Sequence, residues 1–385
     1  MDWELIDKMI EEGFIKTQVH PTLPLLIHNY TPKTQFDRVW NAATKTCRGL
    51  ITTDPEKTGK PKEIVGRPFG KFFNLGEVEA PNETFEVMEK MDGSLFIACV
   101  YKGELVTATR GSFTSDQSVI GREELLRVCC PAHALPQDVF HHDYTYLFEV
   151  IYAKEGGRPQ IVVDYGPNTK LTLLTVIHTE SGSEVPYEQL ATFVTWGETS
   201  IQHGTTGLDQ ENEQLFEICK RYDLEHLTPA QLDAMDEENR EGFVLKFSSG
   251  QRIKIKFEWY KIRHKLLCGL TPRRIWEVLK TGGTVKEDIL LGVDVPDEFH
   301  HWLTETAMGL YEAAHRIRFA ASNEIKKVPQ GPTDTRKDQA LYIKENCTHP
   351  HLMFSLLDGR MIEEQIWKML KPTGGIAFHD EGEDA

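Results

Sequence analysis

The 385-residue chain has no apolar run approaching the length that spans a bilayer. Its start, MDWELIDKMIEEGF, lacks the basic and then apolar pattern of a secretory signal. It is acidic and amphipathic, with Leu5, Ile6, Met9 and Ile10 on one helical face. Positive charge is in short supply: 59 acidic against 43 basic side chains leave −16. That argues against a protein that coats nucleic acid through its overall charge, but leaves room for a local basic groove. The seven cysteines (Cys47, Cys99, Cys129, Cys130, Cys219, Cys268, Cys347) form no CxxC pair, and their number is odd. Free thiols in a reducing cytoplasm are expected, rather than a disulfide frame or a zinc site, and no membrane partner. The histidines at 141–142, 300–301 and 349–351 have no partners at metal-ligand spacing and read as surface or core histidines. GRPFGKF at 66–72 is one residue short of a phosphate-binding loop between its glycines, and Phe72 stands where Ser or Thr would hold magnesium. There is no internal repeat and no low-complexity tract.

What the chain does have is ordinary globular composition, 40% apolar and 26% charged, over a length that accommodates two cores. Residues 46–110 are short β-like runs broken by Gly, Pro and Asn. SLFIACVY, the turn KG and ELVTAT predict a hairpin. YTYLFEVIY (144–152), QIVVDY (160–165) and KLTLLTVIH (170–178) predict further strands. The acidic stretch 207–239 predicts surface helices. EGFVLKF, the turn SSGQ and RIKIKFEWY predict a second hairpin. Strand patterns stop after Tyr260. Phe299, Leu303, Leu310, Ala314, Ile317 and Ala321 recur at helical spacing, and Ile362, Ile366 and Leu370 mark a later helix stopped by Pro372. The expected fold class is therefore α+β: a domain of antiparallel sheets with flanking helices over 1–260, and an all-helical domain over 261–385 with a frayed acidic tail.

Several charges sit where folding alone does not need them. In EVMEKMDGSLF, Lys90 and Asp92 are two residues apart, which on a strand puts them on one side, with Gly93 behind to permit a tight turn or a close approach. An amine becomes a nucleophile when nearby cations and desolvation favour its neutral form, so a reactive Lys90 requires other cations around it. Lys254 and Lys256 alternate with Ile253 and Ile255, so one face is apolar and the other displays both lysines. A turn pairing Phe247 with Arg252 would set Leu245 opposite Lys254 and Phe243 opposite Lys256, and would bring Glu241 onto the lysine face. A carboxylate beside two lysines suits phosphates and a hydrated magnesium ion. Arg48, Lys71, Phe73 and Arg110 are further candidates. Glu149, a carboxylate inside an apolar strand, needs a partner or a use.

The blocks CRGL (47–50), RPFGKFFNL (67–75), KMDGSL (90–95), RGSFTSDQ (110–117), FEVIY (148–152), EGFVLKF (241–247) and KIKFEWY (254–260) occur in order. As a set they resemble the phage-type RNA ligase 1 family of covalent nucleotidyltransferases, over nearly all of residues 25–260. The resemblance implies an ATP-dependent RNA ligase acting with magnesium, or manganese in its place. Lys90 would be the lysine that takes AMP from ATP. Lys254 and Lys256 would grip the α-phosphate, while Arg48, Lys71 and Arg110 would contact phosphates. Glu149 and Glu241 would hold the nucleoside or the metal's waters, and Phe73, Gly93 and Lys246 would complete the nucleotide site. Core packing is an equal reading for Phe73 and Tyr260.

Two departures stand out. Arg110 occupies a position where the family commonly has lysine, and AKEGGRPQ (153–160), with Arg158, looks longer than usual. The helical second domain favours the RNA ligase branch over DNA ligases and capping enzymes, whose second module is a β-barrel, and such a domain is associated with RNA choice, including broken tRNA. KFEWYKIRHK with Arg273 and Arg274 makes a basic, aromatic strip that could carry single-stranded RNA, or simply a solvated helix start. The implied partners are RNA ends bearing 5′-phosphate and 3′-hydroxyl, with a separate kinase or phosphatase to prepare them. The alternatives are a DNA ligase or other lysine nucleotidyltransferase, and an inactive RNA-binding relative.

Overall fold

The computed structural model describes residues 1–129, 139–152, 162–196, 213–290, 297–331 and 333–373. The chain divides into two compact units, the first made mainly of residues up to Lys261 and the second of residues from Ile262 onward. Strands β1 to β5 are Ile15–Val19, Leu25–Tyr30, Arg48–Thr53, Ile64–Gly66 and Phe73–Asn74. Strands β6 to β10 are Phe85–Lys90, Ser94–Tyr101, Glu104–Thr109, Tyr144–Ile151 and Lys170–His178. Strands β11 to β14 are the two-residue pieces Thr195–Trp196, Glu213–Gln214, Glu217–Ile218 and Arg221–Tyr222, and β15 and β16 are Gly242–Phe247 and Arg252–Lys256.

Three larger sheets build the first unit, β1-β2-β3-β4, β13-β10-β9-β7-β8 and β14-β6-β15-β16-β5, beside the two-stranded β11-β12. Pairing is antiparallel except for β10 with β13 and β16 with β5, so the α+β reading with antiparallel sheets stands. The middle sheet is buried on both faces, which explains why SLFIACVY is apolar throughout rather than alternating. Ile97, Cys99, Val106 and Leu147 pack on Leu25, Ile27 and Ile51 of the first sheet. On the other side Phe96, Ala98, Phe148 and Val150 pack beneath the helix Asp116–Cys129 through Leu125 and Cys129. The third sheet is one-sided: Val87, Phe243, Leu245, Phe247, Ile253 and Ile255 form its core face. The amphipathic first segment is a helix, Trp3–Glu11, burying Ile6 and Met9.

Three expectations fail. Residues 162–165 form no strand; the Val162 and Val163 amides are taken by a side chain described below, so they are withdrawn from any ladder. Residues 160–161 and 207–212, and Arg158, lie outside the described residues. The acidic stretch from 213 holds three two-residue strands and one five-residue helix, Pro229–Asp233, joined by turns, because Phe216 and Cys219 are buried against the middle sheet and draw the chain into it. The strand RIKIKFEWY ends at Lys256, and a helix begins at Glu258 and runs to Gly269.

In the second unit the described residues form helices, including Pro272–Lys280, Asp297–Glu324, Arg336–Asn346, Pro350–Leu357 and Glu363–Met369. Leu303, Ala314, Ala321 and Ile366 are buried as their spacing predicted, and the Trp276 indole donates to the Trp367 carbonyl at 2.7 Å. No described helix is long and apolar enough to cross a membrane.

One buried histidine couples the first sheet to pH. His28 lies between Thr17 and Thr52, its ring nitrogens 2.9 and 3.0 Å from their hydroxyls. Burial, aided by Lys62, pushes its pKa down to about 4 from 6.5. The unfolded chain therefore binds a proton that the folded one refuses, so stability falls as pH drops below 6.5 and levels off near 4. We expect His28 to cost about 2 kcal/mol between about pH 7.5 and about pH 5, at roughly 1.4 kcal/mol per pKa unit. Urea unfolding at both pH values should show a shift that shrinks by that amount in His28→Gln.

Candidate active site

The third sheet turns its second face to a cleft, and its register sorts the side chains there. Across β6, β15 and β16 three rows lie side by side: Lys90, Gly242 and Lys256; Met88, Val244 and Lys254; Glu86, Lys246 and Arg252. This register is one residue away from the pairing of Phe247 with Arg252 expected from the sequence. Phe247 instead bonds to the Gln251 carbonyl at 2.9 Å, closing a three-residue loop in which Gly250 takes φ +84°. A left-handed glycine lets the loop close one residue shorter than SSGQ, which shifts the pairing. Val244 thus faces Lys254, and all the phenylalanines stay on the core face.

Gly242 is what admits Glu241. Its φ is +145°, and a Cβ there would stand 2.0 Å from the Ile255 carbonyl oxygen. The chain turns at this point, and the Glu241 carboxylate, 2% exposed, lies 2.6 Å from the Lys90 Nζ and 3.2 Å from the Lys256 Nζ. Lys254 is partly buried one row away. Burial first, then the charges of Lys90, Lys71, Lys256 and Arg48, lower its pKa to about 7.

The remaining wall comes from the other two sheets. Arg48, Lys71, Arg110, Glu149, Leu174, Tyr30 and Val185 line the same cleft as Lys90, Lys246, Lys254 and Lys256. Lys71 Nζ sits 5.4, 5.2 and 5.6 Å from the rings of Tyr30, Trp40 and Phe73. Arg110 donates to the Tyr30 hydroxyl at 3.2 Å. Lys246 is held by Glu86 and Glu184 at 3.5 and 3.2 Å, and Glu184 also meets Arg252 at 2.5 Å. Burial raises the Glu184 carboxyl, but Arg252 and Lys246 more than offset this and leave it below its ordinary range.

Four expected residues fall elsewhere. Phe73 and Gly93 do not line this cleft. Phe73 pairs with Ile253 beside it, and Gly93 lets the backbone approach β9, where a Cβ would lie 2.5 Å from the Val150 carbonyl oxygen. Asp92 lies past the end of β6, so strand alternation does not relate it to Lys90. Its carboxylate is buried and accepts from the Val162 and Val163 amides at 2.6 and 2.9 Å and from the Tyr260 hydroxyl at 2.8 Å. Burial, then the Glu241 charge, raises its pKa to about 6. Tyr260 is thus a buried tether for Asp92, with Lys256 5.1 Å from its ring. In the second unit, Arg273 and Arg274 are exposed and both pair with Glu277. The turn before β9 brings ligand atoms of His141, His142 and Asp143 within 4.8 Å of one another, a proximity that spacing alone did not reveal.

The model of a family described as RNA ligase matches residues 46–262, more than half of the chain. The chain belongs to the RNA ligase family. A curated protein of Thermovibrio ammonificans named as an RNA ligase is 27% identical over 311 residues, covering 73% of this chain and 74% of that one. An archaeal ATP-dependent RNA ligase structure aligns over 93% of this chain and 96% of its own, at 12% identity and a TM-score of 0.44. A Naegleria gruberi RNA ligase with pyrophosphate aligns over 62% and 73%, at 15% identity and 0.31. Neither structural likeness is close enough to carry an argument about the site.

In this RNA ligase sequence reasoning missed Gly242, Tyr30, Trp40 and Glu184. Gly242 was recoverable, since a glycine directly after a charged residue at a strand start signals a backbone turn. The others reach the site from distant segments. Replacing Gly242 with alanine should destabilise the protein by more than about 2 kcal/mol, since backbone strain and a backbone collision add. Equilibrium unfolding of Gly242→Ala checks this, with Gly250→Ala as a milder comparison because a Cβ there meets nothing within 4 Å.

Proposed function

We propose that the cleft binds ATP and that Lys90 carries AMP as a phosphoramide on its way to an RNA 5′-phosphate. The observation that carries this reading is the buried carboxylate of Glu241 clamped between Lys90 and Lys256, with Lys254 beside them. Two amines on one carboxylate, with a third one row away, form a site for polyanion chemistry, which relies on positioning and charge neutralisation. The apolar slot of Met88, Leu174, Val185 and Val244 suits a base, and Arg48, Lys71 and Arg110 suit the phosphates.

The lone pair of a neutral Lys90 Nζ attacks the α-phosphorus, the bond to the bridging oxygen breaks, and pyrophosphate leaves. Glu241 at 2.6 Å is the base within reach to draw the first proton from the Lys90 ammonium and free its lone pair, and the second, acidified as the P–N bond forms, passes to solvent. An oxygen of the RNA 5′-phosphate then displaces Lys90 from the AMP, breaking the P–N bond. An RNA 3′-hydroxyl finally attacks that 5′-phosphate and releases AMP, leaving a phosphodiester. Hard carboxylate oxygens fit magnesium or manganese: Glu149 in the cleft wall, and Glu241 buried behind Lys90 and Lys256, would hold the ion through its waters, and it would supply positive charge to the phosphates. RNA with a broken loop, as in tRNA, is the substrate we favour, its ends prepared by another enzyme.

Two outcomes are expected. Incubation with α-labelled ATP and a divalent ion should give a covalent label that Lys90→Ala abolishes, with GTP and nicked DNA poorer than ATP and single-stranded RNA. A label that survives Lys90→Ala removes the reading. ATP affinity should also fall as pH rises above 7, because a triphosphate holds the Lys254 proton that the empty site has half released. The slope should approach tenfold per pH unit, read by calorimetry as proton uptake, and flatten in Lys254→Met.

A further inference from the structure

A second groove, of about 430 Å³, opens between the segment 69–79 and the turn of the β15–β16 hairpin. It shares Phe69, Lys71, Phe72 and Arg252 with the cleft, so the two adjoin across these side chains. Its walls are tied to the sheet that carries the lysines. The Lys71 amide donates to the Lys45 carbonyl at 2.7 Å, the Leu75 amide to the Lys254 carbonyl at 2.8 Å, and Phe73 pairs with Ile253. Three cations line it, Lys45, Lys71 and Arg252, the last of them already paired with Glu184, against the single lining carboxylate of Glu79. Each aromatic ring there has cations against it: Phe73 has Lys45 and Lys71 at 5.9 and 5.6 Å, and Phe72 has Arg48 and Lys254 at 5.8 and 5.6 Å. Lys45 is exposed and makes no ion pair among the described residues, so its charge is available to a ligand.

Resting on the ligase reading above, we propose that this groove takes the single-stranded RNA that adjoins the phosphate being joined, with Lys45 on the backbone and Phe72 and Phe73 as stacking faces. Cations interleaved with aromatic rings are the physical signature of single-strand binding. On a chain of net charge −16 such a local positive tract is the place a polyanion can approach. The volume lies within the range of ordinary ligand sites. Gly250 at the rim leaves the space above its backbone open.

The test uses the full chain with Lys45→Glu, Lys45→Arg and, independently, Gln251→Glu. Each is assayed for self-labelling with α-labelled ATP, for binding of a 5′-phosphorylated RNA oligonucleotide by fluorescence anisotropy at two salt concentrations, and for joining. Lys45→Glu and Gln251→Glu should label within about twofold of the unaltered protein but bind and join RNA about tenfold or more weakly. The salt slope should flatten by about one released ion for Lys45→Glu, and Lys45→Arg should restore binding. Unchanged RNA binding in both glutamate variants overturns the proposal. So does a loss of self-labelling equal to the loss of joining, which would assign the groove to the nucleotide. Failure of the unaltered protein to label itself would sink the ligase reading instead, and RNA affinity would still decide the groove.

Discussion

A carboxylate almost fully removed from water, Glu241, is held between two ammonium groups, and the rest of the cleft depends on that contact. Burying a lone charge costs several kcal/mol, so Glu241 is tolerable only with Lys90 and Lys256 against it, and removing one partner strands the others. The arrangement needs the sheet register that aligns Lys90, Gly242 and Lys256 in one row. It also needs a residue without a side chain at position 242, because the backbone there has φ +145° and lies against the Ile255 carbonyl. Function and folding meet in that row: the turn that admits the carboxylate also starts the strand that buries Phe243, Leu245 and Phe247.

The same sheet explains how an acidic chain maintains a positive cavity. Apart from Glu89, which meets Tyr222 and Arg240, its core face is apolar, so its other charged residues stand on the opposite face, where antiparallel pairing sets the basic rows of β15 and β16 beside Lys90. Towards the hairpin end these charges are neutralised in the Glu86, Lys246, Glu184, Arg252 chain, which orders the wall. Towards Lys90 they are under-compensated, and burial together with those charges loosens the Lys254 proton. Aromatic rings take the place of carboxylates around Lys71, holding its charge without cancelling it. Buried Asp92 anchors the segment 162–163 and Tyr260 behind the site, a tether built from the acid two residues after Lys90.

The patterns with a strong local period were legible without a structure. SLFIACVY with ELVTAT, KLTLLTVIH, RIKIK and the helical stripe through Leu303, Ala314 and Ala321 stand where their periodicity put them. The misreadings share a cause: tertiary contacts outweighed local preference. Val162 and Val163 look like strand but give their amides to a carboxylate seventy residues away in the chain. The acidic run after residue 213 looks like surface helix, yet Phe216 and Cys219 belong to the core.

Within the site, the sequence by itself determined which side chains alternate with an apolar face, and so that Lys254 and Lys256 would emerge together; this follows from the two-residue period of a strand and nothing longer. Tertiary structure alone decided what they meet. A three-residue loop with a left-handed glycine set the register that brings Val244, not Leu245, against Lys254. Packing of three sheets carried Arg48, Lys71 and Glu149 to the same cleft. Such contacts are set by how whole faces bury against one another, and no window of sequence contains both partners.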